Sequence, residues 1–444
     1  MKIPIPAIAM GMCLMPGAAW GVDWSVQSTA TETIELNDNQ FLATAPAGGT
    51  VSSYSSISEK AEARTPTSKF DFTSDASYRK YWGPGAEGLP LSYNLSYGFN
   101  AHYELAGKTA PDRTWVEADF KSQSSAFALL NELGIFSNVT GSIDRLTFSG
   151  GADRALTARD TISLLASSTD TFYEPGSAGT AFRDTNANAT WRHRLTSLTS
   201  LTASTGGEWL SYDNAFATNV LILRNQAGID MTPTPLLSFH ASAGAAYVQT
   251  INGIGTIPTS SLSGSFVVTP AGNGSFDVTT PSGSFVGILS GNSVTVPISS
   301  ATVGFIGDML LTYKPVKTTT FALTASQSIG PSIVGSLFQL STVRASVTQN
   351  INAASSLTVA ADVSRSTSTT TTDFASASVS YSYQWTRAWS ASATYRFLHR
   401  FEASGTTTID PITNTPVTAG LGPASSNSLM FTVSRNFADL GHTN

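Results

Sequence analysis

A run of roughly eighteen or more apolar residues, the length of a membrane-spanning helix, occurs nowhere in this 444-residue chain. A helical membrane protein is thereby excluded. Cysteine is reduced to one residue, Cys13, so internal disulfides and dithiol redox centres are excluded too. The five histidines fall at no spacing that gathers a metal, and no glycine-rich loop is built for phosphates. Neither a metal nor a cofactor is expected. Charged residues make up 12% of the chain and lean acidic, 30 against 24. Nucleic acid, which needs a basic stripe, is not an expected partner.

Both ends carry sorting signals. Lys2, the apolar stretch from Ile3 to Met15, and small residues at Ala19 and Gly21 predict an export signal over 1–21, cut before Val22. Cys13 lies inside it, and removal of Lys2 leaves 23 basic against 30 acidic residues. At the other end, Leu429, Phe431, Val433, Arg435 and Phe437 share one parity. This resembles the C-terminal signal of bacterial outer-membrane barrels, which implies that the barrel-assembly machinery reads Phe431, Val433 and Phe437. Residues 438–444 would then form a periplasmic tail.

Strict alternation fills the space between. Val379, Tyr381, Tyr383 and Trp385 precede a tight turn, and Trp389, Ala391, Ala393, Tyr395 and Phe397 follow it. Leu91 to Leu105 holds eight apolar positions of one parity without a break. A period of two means extended strands with one oily and one wet face. These runs exceed the 5–6 residues usual in soluble sheets and suit the roughly 9–11 that a tilted membrane strand needs. A charge on the lipid face costs about 2–4 kcal/mol at mid-bilayer for Arg or Lys, so charges should take the other parity. His102, Glu104, Asp308, Arg344, Asp362, Arg396 and Arg400 do, as does the polar Asn100; Glu32, Glu59, Arg365 and Arg435 do not.

Eight short connections alternate with nine generally looser ones, three of them long: 122–140, 251–300 and 402–427. That rhythm predicts an all-β fold, a transmembrane antiparallel up-and-down β-barrel of 18 strands over 22–437 in the bacterial outer membrane. Glu32 and Glu59 make the first two strands the weak ones, so 16 strands starting at Phe70 is the alternative. A secreted all-β protein, its oily faces packed on each other, is the competing class.

With Asp38-Asn39-Gln40-Phe41 in the first loop, turns of the Gln384-Trp385-Thr386-Arg387-Ala388-Trp389 kind and a last strand ending at Phe437, the chain resembles the beta-barrel porins of Gram-negative bacteria, many of them encoded beside exopolysaccharide genes. The resemblance implies a barrel set among outer-membrane lipid and lipopolysaccharide that passes or exports solutes, glycans among them. It supplies no catalytic residues.

The residues point to a passive, porin-like channel with His102, Glu104, Arg192, Arg194, Glu208, Arg224, Arg344, Asp362, Arg396 and Arg400 lining the pore. The alternative is a plugged barrel whose external loops bind at the cell surface or serve a structural role. A third reading, an outer-membrane lipid hydrolase, rests on His240 and Ser242, which share a strand face as a base and nucleophile would. That face is the wet one, so no catalytic residue is assigned. In the long loop 251–300, Gly-Ser-Phe recurs at 264–266, 274–276 and 283–285, which suits short hairpins; an irregular Gly/Ser loop is the alternative. In the loop 122–140, Ala126, Leu129, Leu130 and Leu133 form one helical stripe. A short helix is expected there, either constricting the pore, with Phe127, Leu130 and Leu133 at its centre, or packed on the outer rim. Deleting Ala126–Phe136 should raise single-channel conductance; an unchanged conductance removes the constriction.

Overall fold

The computed structural model describes residues 22–87, 93–106, 112–124, 141–174, 180–213, 217–258, 267–272, 275–280, 283–290, 293–331, 337–367, 371–401, 407–409, 416–418, 422–437 and 440–442. The expected export signal and the expected constriction residues Phe127, Leu130 and Leu133 lie outside them.

The first eleven strands are β1 (Asp23–Asn37), β2 (Thr50–Arg64), β3 (Ser68–Trp82), β4 (Tyr93–Ala106), β5 (Arg113–Ser124), β6 (Ser142–Ala155), β7 (Asp160–Tyr173), β8 (Phe182–Arg194), β9 (Thr199–Tyr212), β10 (Asn219–Thr234) and β11 (Leu237–Pro258). Three short strands follow, β12 (Val267–Gly272), β13 (Ser275–Thr280) and β14 (Gly283–Ser290). The wall resumes with β15 (Ser293–Val316), β16 (Thr319–Pro331), β17 (Leu337–Asn350), β18 (Ser355–Thr367), β19 (Thr371–Gln384) and β20 (Trp389–Arg400). After β21 (Thr407–Ile409) and β22 (Pro416–Thr418) come β23 (Ala424–Asn436) and β24 (Leu440–His442).

Eighteen of these make the wall, each antiparallel to its neighbours, with β11 pairing β15 and β20 pairing β23. β1 pairs β23 from Thr29↔Asn436 to Asn37↔Ser428, and the sheet closes on itself. β1 and β2 pair along their whole length, Asp23↔Arg64 to Asn37↔Thr50. The sixteen-strand alternative is therefore corrected: two outward glutamates did not keep these strands out of the wall. The external boundaries also move. Ser122–Ser124 belong to β5 and Ala424–Asn427 to β23, while β11 and β15 run on as a paired ribbon to Pro258↔Ser293. β12, β13 and β14 pair in succession on that ribbon.

Residues directly opposed in antiparallel strands share a face, so a face fixed at one strand passes through the registers around the ring. Exposed Leu95, Val116, Phe148, Leu164, Val343 and Val363 mark the outer face. Tyr103, Trp191, Tyr313 and Trp389 stand towards its turn end, and Trp82, Tyr93, Trp209 and Tyr247 towards its loop end. An even-stranded closed barrel with an apolar outside and two aromatic girdles is the outer-membrane type. The molecule lies in the Gram-negative outer membrane.

Several turns repeat one device. In Leu156–Asp160, Leu195–Thr199, Ile351–Ser355 and Trp385–Trp389 the first amide donates to the fifth carbonyl. The second residue's side-chain oxygen (Thr157, Thr196, Asn352, Thr386) accepts from an amide two residues on. Thr and Asn suit that position because a short side chain can substitute for a backbone turn bond.

Of the four charges that break the expected parity, three have partners in the structure. Arg365 makes a two-pronged contact with Asp373, at 2.7 and 2.9 Å. Arg435 lies 5.2 Å over the Trp389 ring and 4.9 Å over Phe437. Glu32 accepts from the hydroxyls of Ser53, at 2.5 Å, and Ser55. Glu59 stands between Ser28 and Ser74 in the register. Stranding the Glu32 carboxylate should cost about 1–3 kcal/mol, the price of a lost charged hydrogen bond in a dry setting. Ser53→Ala with Ser55→Ala should lower the urea midpoint of unfolding in lipid vesicles, whereas Glu32→Leu should hold or raise it. A double variant as stable as the parent would show that the serines do not support Glu32.

Candidate functional site

Inside, the bore is divided. On the side of β8 to β11 and β15 the inward residues Phe182, Leu210, Val220, Ile222, Ala246, Val248 and Ile306 pack into one apolar cluster, with Ile329 and Leu337 against it. Leu210 and Ile222 are 0% exposed. A wall facing an open water channel would not be buried in this way, so on this side the inward face is apolar where strand parity alone reads it as wet. The signal in the sequence is Val220 to Leu223, four apolar residues in a row that fill both parities.

On the side of β17 to β20, β23 and β1 to β5 lies a cavity of about 760 Å³. Its charged lining is Glu35, Asp75, Arg79, Lys121, Arg344, Asp362 and Arg396, with Tyr54, Tyr81, Asn94 and Phe374 between them. Arg79 is held: its guanidinium lies 5.0 Å over the Tyr54 ring and 3.7 Å from Glu35. The side-chain amide of Asn37 also donates to Glu35, at 3.2 Å.

The cavity's roof is the loop 38–49, which no sequence signal placed in the bore. Asn39 ties it down. Its side-chain amide donates to the carbonyls of Ala43 and Ser425, at 2.8 and 2.9 Å, and its side-chain oxygen accepts the Ala43 amide. Beyond it Leu42 is 1% exposed and left-handed, with φ 51°. A branched side chain tolerates that conformation only where surrounding structure enforces it. Gln40 and Leu42 both line the cavity.

All ten expected pore residues lie on the inward parity. They do not share one environment. Arg344, Asp362 and Arg396 come together in the cavity. His102 sits near the turn end among Glu104, Glu117 and the ring of Trp115, an inward tryptophan that alternation alone would not suggest. Arg192 pairs with Asp230 at 2.9 Å, and Arg194 donates to the Ala158 carbonyl in a turn. Three are tied up. Glu208 is 6% exposed and closed on Arg224, which also donates to the Ile329 carbonyl. Arg400 is 1% exposed and donates to the Gly422 carbonyl.

His240 and Ser242 face the bore and do not meet. The two ring nitrogens of His240 face Asp230 at 2.5 Å and Asp308 at 2.7 Å, and Ser242 donates to Asp308. With both nitrogens occupied, the ring has none to take a proton from the Ser242 hydroxyl.

No family model and no curated protein matches the chain in sequence. In fold it is similar to the ferric-catecholate import receptor Fiu of E. coli K12, at 9% identity over 93% of this chain and 81% of that one, with a TM-score of 0.46. It is also similar to OccAB1 of Acinetobacter baumannii, at 10% identity over 94% and 97%, with a TM-score of 0.45.

The Asn39 clamp yields a direct test. Asn39→Ala removes three hydrogen bonds, each worth about 0.5–1.5 kcal/mol. Limited proteolysis of the folded barrel should then cut within 38–49 several-fold faster. Equal cutting rates would mean that the roof is held by something else.

Proposed function

We propose that the barrel is a passive, porin-like channel that carries small hydrophilic solutes across the outer membrane, by diffusion or export. The observation that carries this reading is the cavity itself: a polar, water-accessible space of about 760 Å³ within the bore, lined by side chains of both charge signs. Inert protein interiors are close-packed, and a space of this size falls within the roughly 300–1,000 Å³ of small-molecule sites. In such a path, width and lining charge select the solute. Glycans fit the reading as solutes because the lining is rich in Ser and Asn.

A second reading has one observation in its favour. The buried apolar cluster on the β8 to β15 side narrows the open part of the bore, as in a plugged barrel whose external loops do the work.

Single-channel recording separates the two. Purified residues 22–444 in a planar bilayer should give stable unitary current steps, larger for Asn39→Ala, which frees the roof. Silence from barrel shown to be folded by heat-modified gel migration would favour the plugged, loop-bearing surface protein.

A further inference from the structure

Of the four cations around the cavity only Arg79 is neutralised. Lys121 of β5, Arg344 of β17 and Arg396 of β20 are exposed to its interior and meet no carboxylate in ion-pair contact among the described residues. Asp362 stands directly across from Arg344 in the register, yet its carboxylate takes the Ser376 hydroxyl at 2.6 Å. Asp75 lines the cavity as well, so four cations stand there against three carboxylates, an excess of one positive charge.

The rest of the same walls is polar and neutral: Ser96, Ser364 and Ser378 line the cavity, with the side-chain amides of Gln40 and Asn94. Hydroxyl and amide groups exchange hydrogen bonds with ligand hydroxyls, while the cations call for an anionic group. A bare anion such as phosphate would use the guanidinium and ammonium groups and leave the neutral groups unused. A neutral sugar would use the neutral groups and leave the cations unmatched.

We propose that this cavity is a recognition site for a hydroxylated carboxylate of sugar-acid type. Its carboxylate meets Arg344 and Arg396, and its hydroxyls meet the neutral polar groups of the lining, Ser96, Ser364 and Ser378 among them. The planar guanidinium fork matches a carboxylate in two parallel hydrogen bonds, so arginine is the better residue for this task than lysine. Lys121 then adds attraction as a point charge. The inference deepens the channel reading by naming the solute class, and rests on it only for how the solute reaches the cavity.

Calorimetric titration of the folded, detergent-solubilised chain tests it without needing conduction. D-Galacturonate should bind, and D-galactose should bind at least about tenfold more weakly, because a charged hydrogen bond is worth upwards of one decade in affinity. Arg344→Gln with Arg396→Gln should weaken galacturonate by about tenfold or more and leave galactose unchanged. Both side chains are exposed to the cavity, so the variant should fold, as heat-modified migration would verify. Were it not to fold, Lys121→Gln provides the same comparison with a smaller loss. Equal binding of the two sugars, an unweakened variant, or no heat from galacturonate with folded barrel would each overturn the proposal. A silent bilayer beside a positive titration would sink the channel reading alone, and a conducting barrel without binding would sink only this one.

Discussion

A backbone in hydrocarbon has no water to bond, so every strand edge must be paired. The chain meets that requirement at one seam, where β1 joins β23 nearly four hundred residues later. Inside the bore the seam is laced by a ladder of polar side chains: Thr29 to Asn436 at 2.9 Å, Thr31 to Ser434 at 3.0 Å, Thr33 to Thr432 at 2.9 Å. At the loop end Asp38 accepts both the backbone and side-chain amides of Asn427, at 2.7 and 2.6 Å. At the turn end β1 runs six residues past the last β23 pairing. β24 covers part of that overhang, from Trp24↔His442 to Val26↔Leu440.

The candidate site is a consequence of the same closure. Asn37 accepts the Ser426 hydroxyl and the Asn39 amide, and Asn39 reaches across to the Ser425 carbonyl. These bonds lock the last strand against the first, and they also turn the chain inward immediately after β1. Of the loop that follows, Asn39, Gln40 and Leu42 line the cavity. Leu42 is pressed there into a left-handed conformation, and Gln40 is brought beside the cavity. A change that loosens the seam would thus alter the roof as well, because both draw on Asn37 and Asn39.

What the sequence made legible follows from locality. Strand period and parity repeat every two residues, so the faces of His102, Arg344 or Arg396 could be assigned without a structure. Turn chemistry is equally local: Thr157, Thr196 and Thr386 cap bonds within their own turns. Contacts across strands are another matter. Glu32 reads as a misplaced charge until Ser53 and Ser55, about twenty residues on, arrive beside it. Nothing near Asn39 in sequence announces Ser425. Glu208 and Arg224 read as two lumen charges, and only the register shows that they cancel each other. The inward apolar cluster was legible in part, from the unbroken Val220 to Leu223, but its partners Val248 and Ile306 come from other strands.

Charge shows why location outweighs composition. The whole chain is acidic, which by itself suggests no attraction for anions. Many of its charges are spent in pairs along the wall: Arg183 with Asp170, Arg192 with Asp230, Arg113 with Asp153. Paired charges produce fields that fall off quickly, and in the aqueous phases on either side of the membrane salt screens them within about 10 Å. The unpaired cations of the cavity sit inside a low-dielectric ring, where field lines are focused instead of screened. The field within the cavity is set by Lys121, Arg344 and Arg396 together with Asp75 and Asp362, not by the net charge of the protein. A slightly acidic barrel can therefore present an anion-favouring interior, provided its arginines are kept apart from its carboxylates. The Ser376 hydroxyl that engages Asp362 contributes to that separation.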